Sequence, residues 1–485
     1  MCACRRLVLA CAGLLLIAHG RASLAQGAQT SAEQYRKGMQ LEQQRDFAAA
    51  AAAYEAALRG APNAAEVYDR LGFVYGQLGR SGDALAQFEK AVALAPQHFD
   101  AQYHLGATRW WTKDLTGAQA ALQAAVRLRP DHADAQYYLG LTLRQRGDLA
   151  GAIDHLARAA RLKPGLAVAH LQLGIARRDQ GDLDGAIAAL RRAVGADPAL
   201  WEAQNNLGLV LMQKGEADES ASILRALVAR QPALASARVN LGTVLMQRGD
   251  LDGAVQVYRE LIAREPASAE AFYNLGLALK QKDDFAGAER ELGRAIDLDP
   301  SLPEAPYTLG VVLWQTGRPD EASRWFREAI HRKPDFADAH YMLGTVLRQQ
   351  GSIEAAMQEF RQTIAYRPTS AEAHLSLGQT LRQLGRGQEA EAAAAFAEAE
   401  RLNRLKADAQ ASTFAVSVGL DRMKANDVTG AIDRFREAVR LAPENPQAHY
   451  QLALALRRTG AAAEARAHFD EARRLAPYLR PPDAR

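Results

Sequence analysis

Small and apolar residues recur along this chain with a period of 34. A Leu-Gly pair returns ten times at this spacing, with its glycine at 72, 106, 140, 174, 208, 242, 276, 310, 344 and 378. The same frame reaches Gly38 on one side and, after seven additional residues, Gly419 and Ala453 on the other. A period of this length sustained over many copies predicts a solenoid of stacked units rather than three globular domains.

Three further positions are fixed when each unit is numbered so that this glycine is position 8. Position 20 is alanine in every unit from Ala50 to Ala465 except at Ser220. In the eleventh unit, which precedes the seven additional residues, we assign this position to Ala390. Position 24 is large and apolar, as in Tyr54, Phe88, Leu156, Tyr258, Phe326, Phe435 and Phe469. Position 32 is proline in twelve of thirteen units.

These positions predict two antiparallel helices, A and B, in every unit. Small residues at positions 8 and 20 allow the two helices to approach closely. Position 15 is glycine in nine units, which suits the left-handed residue that ends a helix. A following aspartate, such as Asp148, Asp182 or Asp250, is suited to cap helix B, and the proline at position 32 ends that helix.

The pattern of Gly or Ala at 8, Ala at 20, an aromatic or large apolar residue at 24 and Pro at 32 resembles the tetratricopeptide repeat (TPR) family. The resemblance covers residues 31–479 in about thirteen repeats. It implies an all-α fold, a TPR solenoid of antiparallel helix pairs that forms a right-handed superhelix with a concave groove.

Residues 1–25 have the three parts of a secretory signal peptide. Arg5 and Arg6 precede an apolar stretch over positions 7–18, and small residues at Ser23 and Ala25 suit cleavage before Gln26. All three cysteines fall in this segment, and without it the chain carries 56 basic and 56 acidic residues. We expect an exported protein, periplasmic or secreted from a bacterium. An uncleaved anchor is the alternative.

Seven extra residues interrupt the period between Gly378 and Gly419. We expect a longer helix B followed by a loop there, which would offset the last two repeats; a tolerated insertion without function is the other interpretation. The expected organisation is a linker over 26–30 and ten repeats with the start of the eleventh over 31–385. The helix B extension with the insertion covers 386–411, the last two repeats 412–479 and a tail 480–485.

No motif of a catalytic, phosphate-binding or metal site accompanies the repeats. The histidines at position 4 are expected to be structural, because no second metal ligand is patterned beside them: His170, His340, His374 and His449. Acidic residues at position 2 lie in the first turn of helix A, where the helix dipole favours them. The sequence therefore predicts no enzyme, no cofactor and no metal.

In the TPR family, positions 2, 5, 6, 9, 12 and 13 of helix A line the groove, and we call them the groove positions. Position 6 is asparagine in three successive units, at Asn206, Asn240 and Asn274. They resemble the asparagine ladder in the TPR superhelix of O-GlcNAc transferase, whose amides hold the backbone of extended peptides. An amide offers both a donor and an acceptor. A solvated polar surface is the other interpretation.

Positions 12 and 13 add cations, amides and tryptophans. Position 12 is basic in six units, at Arg144, Arg178, Lys280, Arg348, Arg382 and Arg457, and position 13 is glutamine in nine. Cations beside amides suit the carboxylates and peptide groups of a partner, whereas a solvated stripe paired with nearby acids is the alternative. Trp110, Trp111 and Trp314 suit binding anchors, with burial against the next repeat as the competing interpretation.

The sequence thus favours a non-enzymatic scaffold that binds partner proteins or extended peptides in the groove, in cell-envelope assembly or export. We expect no nucleic acid partner and no integral membrane span in the mature chain. The alternative is an accessory subunit of a glycosyltransferase or polysaccharide-export system. The tryptophans and the position-5 tyrosines would then bind carbohydrate: Tyr103, Tyr137, Tyr273, Tyr307 and Tyr341.

Overall fold

A computed structural model describes residues 29–385 and 387–479. The signal peptide predicted for residues 1–25 and the tail predicted for 480–485 lie outside the described residues. Regular structure within the described residues is α-helical throughout, which confirms the all-α fold class. Residues 29 and 30, assigned from the sequence to a linker, already belong to the first helix. The repeat pattern has no fixed residue that marks this helix start, so the sequence did not place it.

The chain divides into two compact units, with the boundary between Val210 and Leu211 inside helix α11, Trp201–Lys214. The described helices before it, α1–α10, are 29–43, Phe47–Gly60, Ala65–Gln77, Ser81–Leu94, Phe99–Trp111, Leu115–Leu128, Ala133–Gln145, Leu149–Leu162, Ala167–Gln180 and Leu183–Ala196. Those after it, α12–α25, are Ala217–Arg230, Ala235–Gln247, Leu251–Arg264, Ala269–Gln281, Phe285–Leu298, Glu304–Gln315, Pro319–Arg332, Ala337–Gln349, Ile353–Tyr366, Ala371–Leu384, Glu389–Lys424, Val428–Leu441, Pro446–Arg458 and Ala462–Leu475.

The position-8 glycines lie directly against the large side chain at position 24 of the same repeat. A Cβ added at Gly310 would stand 2.7 Å from the Phe326 ring, and one at Gly140 would stand 2.6 Å from Leu156 Cγ. Phe326 and Leu156 are fully buried. Only glycine fits here, because any Cβ would overlap the position-24 residue of helix B on which helix A packs.

Residues with positive φ end the A helices, although Gly385, with ψ of −149°, lies outside the left-handed helical region that was predicted. The nine predicted glycines at position 15 have φ between 73° and 97°. The remaining repeats place a residue with a side chain in the same conformation, with φ between 60° and 68°, at Arg45, Lys113, Asp283 and Asn426. The predicted caps Asp148, Asp182 and Asp250 each accept a hydrogen bond from the backbone N–H three residues later.

The prediction of a loop within the seven-residue insertion is wrong. Helix α22 runs unbroken from Glu389 to Lys424 and so joins helix B of the eleventh repeat to helix A of the twelfth. The run is rich in Ala, Glu, Arg and Lys, which favour helix, and contains neither Gly nor Pro where the loop was expected. Residues 403–411 contribute no buried side chain to either of the two neighbouring cores.

The insertion also shifts the frame of the eleventh repeat. Gly378 packs on Phe396, whereas Gly344 packs on Phe360, so the side chain that meets the glycine comes two positions later in the eleventh repeat than in the tenth. Position 20 is therefore the buried Ala392 and not the exposed Ala390. The two extra residues lie in the turn between α21 and α22, and the other five lengthen α22.

Replacing Gly310 by Ala should lower the free energy of unfolding by about 1–3 kcal/mol, because the new methyl overlaps the Phe326 ring in a packed interface. Gly293→Ala is the matched control. It lies inside helix α16 with no atom within 4 Å of the added Cβ and should stabilise by about 0.5–1 kcal/mol. Urea denaturation measures both, and equal effects of the two variants would contradict the packing argument.

Candidate functional site

Three of the predicted groove residues in the first unit are linked: Arg178 bonds directly to Asn206, and Asp179 lies between Arg178 and Arg144. Arg178 donates from Nη2 to Asp179 Oδ1 at 2.8 Å and from Nη1 to Asn206 Oδ1 at 3.3 Å. Asp179 also lies 3.7 Å from Nη1 of Arg144 in the preceding repeat. Asn206 Nδ2 donates to the Glu202 carbonyl at 2.8 Å. One donor and one acceptor of the Asn206 amide are therefore already used within the chain.

The two adjacent tryptophans of the third repeat have different surroundings. Trp110 is partly buried and packs edge-on against Tyr138 of the next repeat, with 5.7 Å between ring centroids. Its Nε1 has no hydrogen-bond partner among the described residues. Trp111 is 67% exposed. The burial interpretation holds for Trp110, whereas Trp111 presents its ring to the surface as a binding anchor would.

Groove residues in the second unit form bonds from one repeat to the next. Trp314 Nε1 donates to Gln349 Oε1 at 3.1 Å, and Arg348 Nη1 donates to Gln379 Oε1 at 2.7 Å. The guanidinium of Arg382 is exposed and lies 5.9 Å from the centre of the Phe396 ring. These contacts hold the side chains in place along the A helices and use part of their hydrogen-bonding capacity.

Helix α15 differs from these neighbours. Asn274 and Lys280 both lie on it at groove positions and are half-exposed. Neither side chain has a hydrogen bond or ion pair within the part of the chain that the structure describes. Asn240, in α13, is likewise half-exposed but does have an interaction partner. The complete set of donors and acceptors of the Asn274 amide and the Lys280 ammonium group is thus available to a ligand.

The position-5 tyrosines are packed between repeats rather than displayed. Burial raises the pKa of the Tyr137 hydroxyl to about 12 and raises the pKa of Tyr103 further. The Tyr103 ring lies 5.1 Å from the His132 ring and 6.2 Å from the Tyr138 ring. Tyr273 and Tyr307 pack against the core of the second unit. These rings have little free face on which a sugar could stack.

Position 4 has a role that sequence reasoning did not find. Where position 4 is His or Gln and a repeat precedes it, the side chain hydrogen-bonds to the carbonyl of the proline six residues earlier, at position 32 of the preceding repeat. The four histidines do so through Nε2 at 2.9–3.1 Å. Gln102, Gln136 and Gln204 do so through Nε2 at 2.7–2.9 Å. The sequence did contain a signal for this bond, because a His or Gln follows the proline at a fixed spacing of six residues. Both side chains carry a nitrogen that can donate at a similar distance from the backbone.

The other nitrogen of His340 contacts Glu359 Oε2 at 2.6 Å. Burial alone would lower the pKa of His340, but the hydrogen bonds to Glu359 and to the Pro334 carbonyl raise it above its ordinary value.

An ion pair lies at the start of helix α19. Arg367 donates to both carboxylate oxygens of Asp338 at 2.7 and 2.8 Å, and these bonds hold the pKa of Asp338 below its usual range.

Metal sites and membrane spans are two other features that bear on function. Within residues 29–385 and 387–479, no three His, Cys, Asp or Glu side chains are grouped so that they could hold a metal ion. No helix in those same ranges combines the length and apolar character needed to cross a membrane.

Family models agree with the repeat fold. Tetratricopeptide repeat models match residues 65–98, 112–167, 167–200 and 419–479. The model of the C-terminal domain of cilia and flagella-associated protein 70 matches residues 191–416. These matches and the helix pairs define an all-α repeat solenoid with the superhelical TPR fold. The chain belongs to the tetratricopeptide repeat family.

Solved structures resemble parts of the chain. MamA is 29% identical over 35% of this chain and 93% of its own, with a TM-score of 0.33. YrrB, described as a TPR protein with an unusual peptide-binding site, is 24% identical over 39% of this chain and 96% of its own, with a TM-score of 0.36. A tetratricopeptide repeat protein from Parabacteroides merdae is 17% identical over 51% of this chain and 98% of its own, with a TM-score of 0.45. No curated protein matched.

In an NMR titration, His340 should titrate above its ordinary pKa of 6.5 and His170 below it. Because the folded-state pKa of His340 is raised, its contribution to stability is full below pH 6.5 and is lost as the pH rises through the folded value. Glu359→Gln should lower the pKa of His340, since the carboxylate charge is removed. Glu354→Gln on the same helix is exposed and should leave that pKa unchanged. An unshifted His340 in Glu359→Gln would contradict the assignment.

Proposed function

We propose that this chain is a non-enzymatic protein–protein interaction scaffold and that helix α15 is a principal contact for extended segments of its partners. TPR proteins are in general interaction modules without catalytic chemistry, and that class supports the coarser part of the proposal. The finer part rests on one observation: Asn274 and Lys280 share an A helix and have no internal partner among the described residues.

The chemistry of these two side chains suits an extended peptide. An amide both donates and accepts, so Asn274 can pair with a peptide group whatever side chain follows it. Lys280 supplies a compact, mobile cation for a carboxylate. Glutamines at position 13, including Gln281 beside Lys280, are exposed and add further donors and acceptors. Partners rich in acidic and polar residues are therefore favoured.

Export and a role in envelope assembly belong to the same proposal. Support comes from the signal-like order of residues 1–25 and from the confinement of all cysteines to residues 2–11. A chain without cysteine after cleavage needs no disulfide chemistry in an oxidising compartment. Binding of carbohydrate gains little support, because Trp110, Trp314 and the position-5 tyrosines are largely packed between repeats.

The binding proposal is tested with a photo-crosslinking residue at Gln281 and, as a control, at Arg290 on the exposed side of helix B. We expect crosslinks to protein segments at Gln281 and not at Arg290. A synthetic copy of the recovered segment should bind Asn274→Ala/Lys280→Ala at least about tenfold more weakly than the wild type, because one charged and one neutral hydrogen bond are lost.

Asn206→Ala is the matched control for that titration, since its amide is engaged with Arg178 and Glu202. It should change the affinity by less than about twofold. Recovery of glycans without protein at Gln281, or an equal loss of affinity in Asn206→Ala, would refute the assignment to α15.

Export is tested separately by expressing the full chain in a bacterium and fractionating the cells. We expect protein in the periplasm or medium with Gln26 as its N-terminal residue by mass spectrometry. Arg5→Glu/Arg6→Glu should retain the uncleaved chain in the cytoplasm, because the positive segment of the signal is reversed. An uncleaved wild-type chain in the cytoplasm would contradict the proposal.

A further inference from the structure

A cavity of about 270 Å³ lies in the first unit between helices α8, α9 and α10. Positions 4, 7 and 11 of helix A line it, so it is separate from the groove positions. Its walls combine three arginines and a histidine with small or apolar residues: Arg161, Arg177, Arg192 and His170, with Leu173, Ala157, Ala160, Ala188 and Ala189. Since a water takes up about 30 Å³ in the liquid, this space suits a small polar ligand.

His170 lines this cavity, and one polar atom of its ring is unpaired. The residue is only 6% exposed, and its Nε2 lies 3.1 Å from the Pro164 carbonyl oxygen. Its Nδ1 is buried and has no hydrogen-bond partner among the described residues. A buried polar atom left unpaired costs about 1–3 kcal/mol, so its presence calls for a physical reason.

The reason lies in the residue at position 23 of this repeat. In three other repeats the second polar atom of the position-4 side chain meets a polar residue at position 23 of the same repeat. Gln136 meets His155 at 2.6 Å, His340 meets Glu359 at 2.6 Å and His449 meets His468 at 2.9 Å. In the fifth repeat, position 23 is Ala189. The methyl group leaves both the space and the unpaired Nδ1.

The charge around this space is positive. The residues that line the cavity include no acid. Arg177 bonds to the Gly185 carbonyl at 3.1 Å and lies 3.8 Å from Asp182. Arg161 and Arg192 are exposed at the rim and make no ion pair within the described ranges. Guanidinium groups present several fixed donors and match the geometry of tetrahedral and planar oxyanions.

The histidine restricts which oxyanion fits. A carbonyl oxygen only accepts, so Nε2 of His170 must carry the proton that bonds to Pro164, and Nδ1 of the neutral ring is an acceptor. Burial lowers the pKa of His170, the bond to the Pro164 carbonyl raises it in part, and the charge of Arg192 lowers it further. The net lowering of the pKa favours the neutral ring. A ligand must therefore offer acceptor oxygens to the arginines and one hydroxyl to Nδ1.

We propose that this cavity binds inorganic phosphate, with its charged oxygens on the arginines and its remaining hydroxyl donating to His170 Nδ1. Hydrogen phosphate keeps a hydroxyl above neutral pH, whereas sulfate and carboxylates then have none. A phosphate monoester loses its last proton with a pKa near about 6 and then also lacks the hydroxyl. The assignment does not rest on the proposed groove function, because the two sites share no residue.

The first test titrates the full chain with inorganic phosphate, sulfate and O-phosphoserine, slightly above neutral pH, by calorimetry. Inorganic phosphate should bind about tenfold more tightly than either of the others, and Arg161→Gln or Arg192→Gln should each weaken it roughly tenfold. The absence of binding at millimolar phosphate, an equal affinity for sulfate, or tighter binding of O-phosphoserine would overturn the proposal.

The second test builds the missing partner into the chain. Ala189→Glu places a carboxylate where Glu359 stands in the tenth repeat, so it should bond to His170, raise the melting temperature and abolish phosphate binding. Ala121→Glu is the matched control: it is another buried alanine at position 23 but lies opposite Gln102, and should lower the melting temperature. Equal destabilisation by the two variants, or phosphate binding that survives in Ala189→Glu, would overturn the proposal.

Discussion

The contact between a glycine at position 8 and a large side chain at position 24 is the constraint on which this structure depends. Helix A rests on helix B at a distance that leaves no room for a Cβ, as Gly310 against Phe326 shows. This distance also brings the position-20 alanine to full burial, for instance Ala322. Because each pair of helices is thin, a repeat must use its neighbours to complete its core, and the stability is a sum of such interfaces.

Close packing leaves few places for polar side chains, and those places recur with the repeat. A His or Gln at position 4 is fixed beside the proline carbonyl of the preceding repeat, so it links two repeats where helix B ends. Its second polar atom then needs a partner, which Glu359 supplies for His340. Position 23 supplies such a partner in the fourth, tenth and thirteenth repeats, whereas Ala189 in the fifth repeat leaves His170 Nδ1 unpaired.

The periodic part of the fold could be predicted from the sequence because each fixed position has a local cause. Gly181 was predicted to be left-handed and Asp182 to cap helix B, and both predictions were confirmed. The insertion was harder to predict, since a constant repeat period gives no information on where extra residues enter. Two of them lie in a turn and moved position 20 to Ala392, and five extend a helix whose composition continues uninterrupted into the next repeat.

The candidate sites depended on information that the repeat pattern lacks. Asn206 and Asn274 are equivalent in the repeat frame, yet Arg178 occupies the first amide and nothing in the described chain occupies the second. The difference arises from non-periodic neighbours one repeat away. The same holds for His170 and His340, which differ through Ala189 and Glu359. In a structure built from copies, unpaired polar groups are therefore found where one repeat lacks the partner that an equivalent residue has in another repeat.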